Sequence, residues 1–203
     1  MHRGRRMWVA VVGLVAALSV HAAAINLFQT AEPLGSGGST LTVGTGLVSR
    51  KAGGGTEWFL TPQLRFTLGW SDTIELGIHT GGLSRVGTAK IDWLGILVDV
   101  EIPLMRRPGA FTFAWGAGAG TGLDLFGEGW GAFGQLLFET QATPLPIFVV
   151  YRPVFPFDAG TFALAHYVAG GVWLRLAPIA RGFLMIDLTR EQWSVGFGVE
   201  FLF

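Results

Sequence analysis

The sequence predicts an all-β fold: a transmembrane, antiparallel, up-and-down β-barrel of about ten strands after an N-terminal signal peptide. Three observations carry this. Apolar side chains recur at every second residue through most of the chain, the period of a strand, not of a helix. Half of the 203 residues are hydrophobic and only 14% are charged, with 31 Gly, 16 Phe and 8 Trp, a composition poor in charge for a soluble domain. The N-terminus, MHRGRRMWVAVVGLVAALSVHAAA, has the layout of an export signal.

In that leader Arg3, Arg5 and Arg6 form a basic region, and Trp8–Val20 is apolar apart from Gly13 and Ser19. Ala22, Ala23 and Ala24 offer small-residue cleavage sites, and cleavage is expected after Ala24. An uncleaved anchor is the alternative, but the apolar run is short for a span of ~20 residues. Residues 1–24 carry three of the 14 basic residues and no acid, so 25–203 has 11 basic and 14 acidic residues, a net charge of −3. No basic patch points to nucleic acid. The absence of cysteine excludes disulfides, thiolate metal sites, a thiol nucleophile and an acylated N-terminal cysteine. Residues 25–38 read as a periplasmic lead-in, either plugging the barrel's lower mouth or flexible; the second is expected. The barrel is expected over 39–203.

The alternation is clearest in EWFLTPQLRFTLGW, 57–70. Trp58, Leu60, Pro62, Leu64, Phe66, Leu68 and Trp70 form one apolar face, and Glu57, Phe59, Thr61, Gln63, Arg65, Thr67 and Gly69 the other. Trp58 to Trp70 spans about 40 Å of strand, or roughly 30 Å of height when tilted, which fits an apolar band with its aromatic girdles. The last strand, WSVGFGVEFLF, repeats the pattern and ends on Phe203. The intervening segments alternate likewise: Ile74, Leu76 and Ile78 against Glu75, Gly77 and His79, and Leu94–Ile102 against Trp93–Glu101. The predicted strands are 39–49, 57–69, 73–82, 91–103, 110–122, 132–142, 147–156, 162–176, 182–189 and 193–203. Eight or twelve strands are the alternatives. Pro153 and Pro156 cannot donate to a ladder, so a bulge or early end is expected in the seventh strand. Short turns (70–73, 104–109, 143–146, 177–181) alternate with longer Gly-rich connectors (50–56, 83–90, 123–131), and an even count puts both termini on one side.

A soluble sandwich or lipocalin-like barrel would turn its charged face to water. Here the second face is mostly Gly, Ala and Thr, which suits a narrow interior with lipid outside. In lipid a β-structure must close to pair its backbone groups.

On these residues the chain resembles the small outer-membrane β-barrels of Gram-negative-type bacteria, over the whole of 25–203. The resemblance implies a bacterial outer-membrane location with both termini periplasmic, membrane lipid as surroundings, and assembly machinery that reads the last strand. Trp193, Phe197, Phe201 and Phe203 fit that insertion signal, and Trp58, Trp70, Trp115 and Trp193 an aromatic girdle.

The inward face supplies one constellation of charges: Arg65, Glu75, His79, Asp99, Glu101, Glu139, Arg152, Arg175, Asp187 and Glu200. Opposite charges in a narrow lumen should pair, because a buried unpaired charge is costly. Two readings follow: a constriction that passes small solutes by charge, and a salt-bridged plug in a closed structural or adhesive barrel. The sequence favours a narrow pore or transport-related role, with the closed barrel as the alternative. The interior glycines make room for either. A hydrolase is the third class. Beyond the leader only His79 and His166 remain, with Thr80, Ser84 and Thr88 near His79 and no acid beside His166 in sequence, so no catalytic residue is expected. GAGAGTG at 116–122 lacks the Lys-Ser/Thr and helix of a phosphate loop. Two His without Cys leave no expected metal site, and no cofactor is expected.

Overall fold

The computed structural model describes residues 29–203 except 53–54, 89, 91, 123–128, 144, 159–160, 163 and 190–191. The expected signal peptide and residues 25–28 lie outside the described residues.

The expected all-β barrel is borne out. The strands are β1 (Ser39–Ala52), β2 (Gly55–Leu60), β3 (Gln63–Ser71), β4 (Ile74–Arg85), β5 (Asp92–Arg107) and β6 (Phe111–Gly122). They continue as β7 (Trp130–Thr140), β8 (Ile147–Asp158), β9 (Thr161–Phe162), β10 (Ala165–Ala177), β11 (Ala180–Leu188) and β12 (Trp193–Leu202). Sequential neighbours pair antiparallel, and β12 pairs with β1 from Thr40↔Leu202 to Ser49↔Trp193, which closes the sheet. β2 and β3 are two parts of one stave, both paired with β1 and β4. Pro62, which has no N–H, interrupts them, but Thr61 exchanges bonds with Gly46 (2.9 and 3.2 Å) and Gly82 N–H donates to Pro62 O, so the ladder continues. β9 only extends the β8 hairpin through Phe157↔Phe162 and Asp158↔Thr161. The barrel thus has ten staves.

Turns 72–73, 108–110, 141–143 with 145–146, and 178–179 lie at the end that also holds Ser39 and Phe203, here the short-turn end. The opposite, loop end is less loop-like than the sequence suggests. β1 runs to Ala52 and β2 starts at Gly55, so only 53–54 connect them, and β4 runs to Arg85. Cross-strand pairing extends the staves into segments that composition alone marks as loops.

The expected irregularity at Pro153 takes another form. β8 crosses both prolines without a bulge and keeps register with β10 from Ala165↔Val154 to Val172↔Ile147. Opposite β7, pairing stops at Phe133↔Val154 and resumes in the same register at Leu136↔Tyr151. The ladder opens where Gly134 and Gln135 face Pro153 and Arg152, because Pro153 brings no donor.

The faces are inverted relative to a water-soluble protein. Outward positions such as Leu64, Phe66, Ile78, Val98, Leu184, Ile186 and Phe197 are all 44–58% exposed. The buried cluster inside comprises Ala31, Ala114, Leu137, Phe148, Val150, Ala169, Phe183 and Met185, with Trp173 packed against it. Glycine creates this interior. Phe133 faces Gly118, Phe148 faces Gly171, and Phe183 faces Gly198 on neighbouring strands. A Cβ on those glycines would lie 2.5, 2.8 and 2.5 Å from the respective ring Cζ atoms. Each of these three rings therefore lies over a glycine, the arrangement by which aromatics cover glycines in a sheet.

Candidate functional site

The interior polar groups gather around residues 29–38, which enter the barrel at the short-turn end. Gln29, Thr30 and Ala31 are buried. Gln29 Oε1 accepts from Arg65 Nη1 at 2.9 Å and Arg152 Nη2 at 3.4 Å, while its Nε2 donates to Glu101. Ala31 N–H donates to Glu139 at 3.1 Å, Leu34 N–H donates to Glu75, and Thr30 Oγ1 accepts from Arg181 Nη2 at 3.1 Å. Further out, Glu32 accepts from Gln141 at 2.7 Å and pairs with Arg106 at 3.5 Å. Gly37 N–H donates to Gly69 O, and Gly69 N–H to Gly38 O. A Cβ on Gly69 would fall 1.9 Å from Gly35 O, so this close approach requires glycine. The expectation of a flexible lead-in is corrected for 29–38. An extended segment has unpaired backbone donors and acceptors, and the inward carboxylates satisfy them.

Strand parity places the expected lumen charges as follows. Arg65, Glu75, His79, Asp99, Glu101, Glu139, Arg152, Asp187 and Glu200 are all buried within the barrel. Arg65 pairs with Asp99 at 2.8 Å and donates to Thr67 at 3.0 Å. Space for that pair comes from Gly77, where a Cβ would lie 2.5 Å from Arg65 Nη2 and 2.6 Å from Asp99 Oδ1. Arg152 Nε donates to Gln135 Oε1 at 3.1 Å, and Ser194 donates to Asp187 at 3.2 Å. Trp173 Nε1–H donates to Glu139 at 2.9 Å.

Arg175 keeps the expected inward parity, paired with Arg181, but stands in the mouth and is not buried in the lumen. It is exposed at the short-turn rim, where Nη2 donates to Pro178 O at 3.2 Å. A register shift between Arg175 and Ala177 ends the regular ladder there. The buried cation on this hairpin is Arg181, which pairs with Glu200 and stacks over Trp173 at 5.1 Å. Arg181 was legible in principle: it shares the odd parity of Phe183, Met185 and Asp187, but a strand begun at residue 182 leaves it in the turn. The large inward aromatics were also missed, since Gly-rich faces read as empty.

His79 is 2% exposed, and neither ring nitrogen has a hydrogen-bond partner among the described residues. Nearby hydroxyls are engaged elsewhere: Thr80 donates to Gly95 O and Ser84 to Thr88 O. His166 lies on the lipid-facing side, where Nδ1 sits 2.7 Å from Tyr151 Oη and the rings stack at 5.9 Å. Neither histidine has the base–nucleophile geometry of hydrolysis among the described residues. No group of three potential metal ligands occurs among them either.

Trp58 and Trp193 both face outward beside Ser49 toward the loop end, with ring centroids 5.4 Å apart. Trp70 and Trp115 lie toward the short-turn end and also face outward. Trp130, 66% exposed at the loop end, belongs with them and was hidden by its assignment to the 123–131 connector. Phe203 is locked to the first strand: its N–H donates to Ser39 O at 2.8 Å, and Ser39 N–H donates to Phe203 O at 3.2 Å.

No protein-family model matches the chain, and a search of curated proteins found no match. Among solved structures, the N-terminal β-barrel domain of Pseudomonas aeruginosa OprF is similar at 12% identity and TM-score 0.34, covering 83% of this chain and 99% of that one. Ail, the attachment invasion locus protein of Yersinia pestis, is similar at 11% identity and TM-score 0.35, with the same coverage of 83% and 99%. P. aeruginosa OprG is similar at 12% identity and TM-score 0.36, covering 86% and 99%. The overlap at these scores is partial, and the architecture rests on the strand pairing of the chain itself.

Proposed function

We propose that the chain is a bacterial outer-membrane β-barrel with a sealed lumen, serving the envelope as a structural or contact-making component and not as an enzyme. A closed sheet with an apolar exterior supports the membrane reading, since closure is what a β-protein in lipid requires. The leader's layout supports export. The shared end of Ser39 and Phe203 supports a periplasmic side for both, and the C-terminal strand supports recognition by assembly machinery through Trp193, Phe197, Phe201 and Phe203. The single observation that carries the sealed reading is Gln29, whose one amide engages Arg65, Arg152 and Glu101 inside the barrel. Phe148 and Phe183 add an apolar block around Ala31. The narrow pore for small solutes is less well supported, because Arg65, Glu75, Glu101, Glu139 and Arg152, five of the charges that would line it, are bonded to the chain's own residues 29–34.

Solute release from vesicles containing folded residues 25–203 tests this. Trapped small sugars and amino acids should leave no faster than from protein-free vesicles. Rapid, size-limited release would overturn the sealed reading.

A further inference from the structure

We propose that the cleft at the short-turn mouth, between the inserted segment and the β10–β11 hairpin, binds a small organic anion: one carboxylate or phosphate on a compact apolar body. Only the side of the membrane that it faces rests on the outer-membrane reading above. The cleft has a volume of about 320 Å³, at the lower end of small-molecule sites. Glu32, Pro33 and Leu34 line it from the inserted segment, and Trp173, Arg175 and Arg181 from the hairpin.

The hairpin side selects for charge. Arg175 and Arg181 pair directly across β10 and β11, so two guanidinium groups rise from neighbouring positions on one inward face. Like charges opposite one another in a sheet repel. Arg181 is answered by Glu200, donates to Thr30 and lies over the Trp173 ring. Arg175 is not answered. Its one bond runs from Nη2 to the neutral Pro178 O, and it has no ion-pair partner among the described residues. Pro178 also lines the cleft, so that bond holds the guanidinium at the cleft wall. Glu32 is the one acid in the lining, and both its carboxylate oxygens are engaged, by Arg106 and Gln141. The cleft therefore presents an uncompensated cation with free donors.

An anion between the two guanidinium groups removes their repulsion and takes up the free N–H groups of Arg175, whose planar fork matches carboxylate or phosphate oxygens. The rest of the lining selects what carries the anion. Pro33, Leu34, Ala177, Pro178, Ala180 and Leu202 offer apolar surface and no further donor side chain. A compact hydrocarbon body fits that surface, whereas the hydroxyls of a sugar would be left without partners.

Ligand-observed fluorine NMR with para-fluorobenzoate tests the site on residues 25–203 folded in detergent micelles. A gel-mobility shift between unheated and boiled samples first establishes folding, and protein-free micelles set the baseline. The benzoate line should broaden with the wild type, and that of the neutral para-fluorobenzamide should not. Arg175→Gln should weaken binding about tenfold, through the loss of one charged hydrogen-bonding partner. Ala177→Trp should abolish it by filling the cleft. Without ligand, Arg175→Gln should unfold at an equal or higher urea concentration than the wild type, because it removes the like charge; an arginine with a merely structural role would make it unfold at a lower one. Phenyl phosphate should displace the benzoate, and the tighter of the two identifies the preferred head group. No broadening with the folded wild type, equal broadening of the amide, or unchanged binding by Arg175→Gln would overturn the site and leave the membrane reading standing.

Discussion

Replacing Arg65 with alanine removes the residue that joins barrel wall to inserted segment. Arg65 is 5% exposed and donates to Asp99 at 2.8 Å, Gln29 at 2.9 Å and Thr67 at 3.0 Å. Its loss leaves Asp99 a buried carboxylate without its cation. Breaking one side of a buried pair costs about 3–5 kcal/mol, and each lost neutral partner about 1 kcal/mol more when counted alone. These overlap, so Arg65→Ala should destabilise by about 4 kcal/mol. Removing Asp99 as well takes away the uncompensated charge. The double variant should therefore be more stable than Arg65→Ala, with a coupling of about 2 kcal/mol. Urea unfolding in lipid vesicles, followed by tryptophan fluorescence, measures all four members of the cycle. A single-variant loss below about 1 kcal/mol, or a coupling of zero, would refute the claim that these groups form a desolvated pair.

Gly77→Ala should cost about as much as a strained core substitution, 1–3 kcal/mol, because its Cβ would meet both members of that pair; unchanged urea midpoints would contradict the packing. Ala31→Pro removes the N–H that Glu139 accepts and should cost about 1–3 kcal/mol, read in the same unfolding assay. Deleting Phe203 removes both bonds to Ser39 and should lower the fraction that folds into vesicles, scored by gel-mobility shift; equal folding would remove Phe203 from assembly.

The barrel was legible because lipid and a narrow lumen impose opposite demands on alternate residues. Leu64, Phe66 and Leu68 could only face one way once Arg65 and Thr67 faced the other. Parity also placed Arg65, Asp99 and Glu101 inside. It could not place residues 29–38, whose polar, Gly-rich run has no period and whose partners are far along the chain: 72 residues away for Gln29–Glu101 and 108 for Ala31–Glu139. Arg175 and Arg181 face each other across the hairpin on the same inward side; depth, not parity, separates them, since Arg175 opens at the mouth while Arg181 is buried against Glu200 and Trp173. The aromatic interior stayed hidden because glycine reads as empty space until cross-strand register shows Phe133, Phe148 and Phe183 filling it. On the proposed sealed reading, that filling turns the inward charges that suggested a filter into parts of a seal.

Conductance across a planar bilayer tests that seal most directly. Residues 25–203, refolded and verified by gel-mobility shift, are added to a bilayer under an applied potential. With Gln29 held between Arg65, Arg152 and Glu101, the bilayer should stay silent while the protein remains folded. Discrete, reproducible current steps from the folded wild type would contradict the account and return the inward charges to the role of a filter.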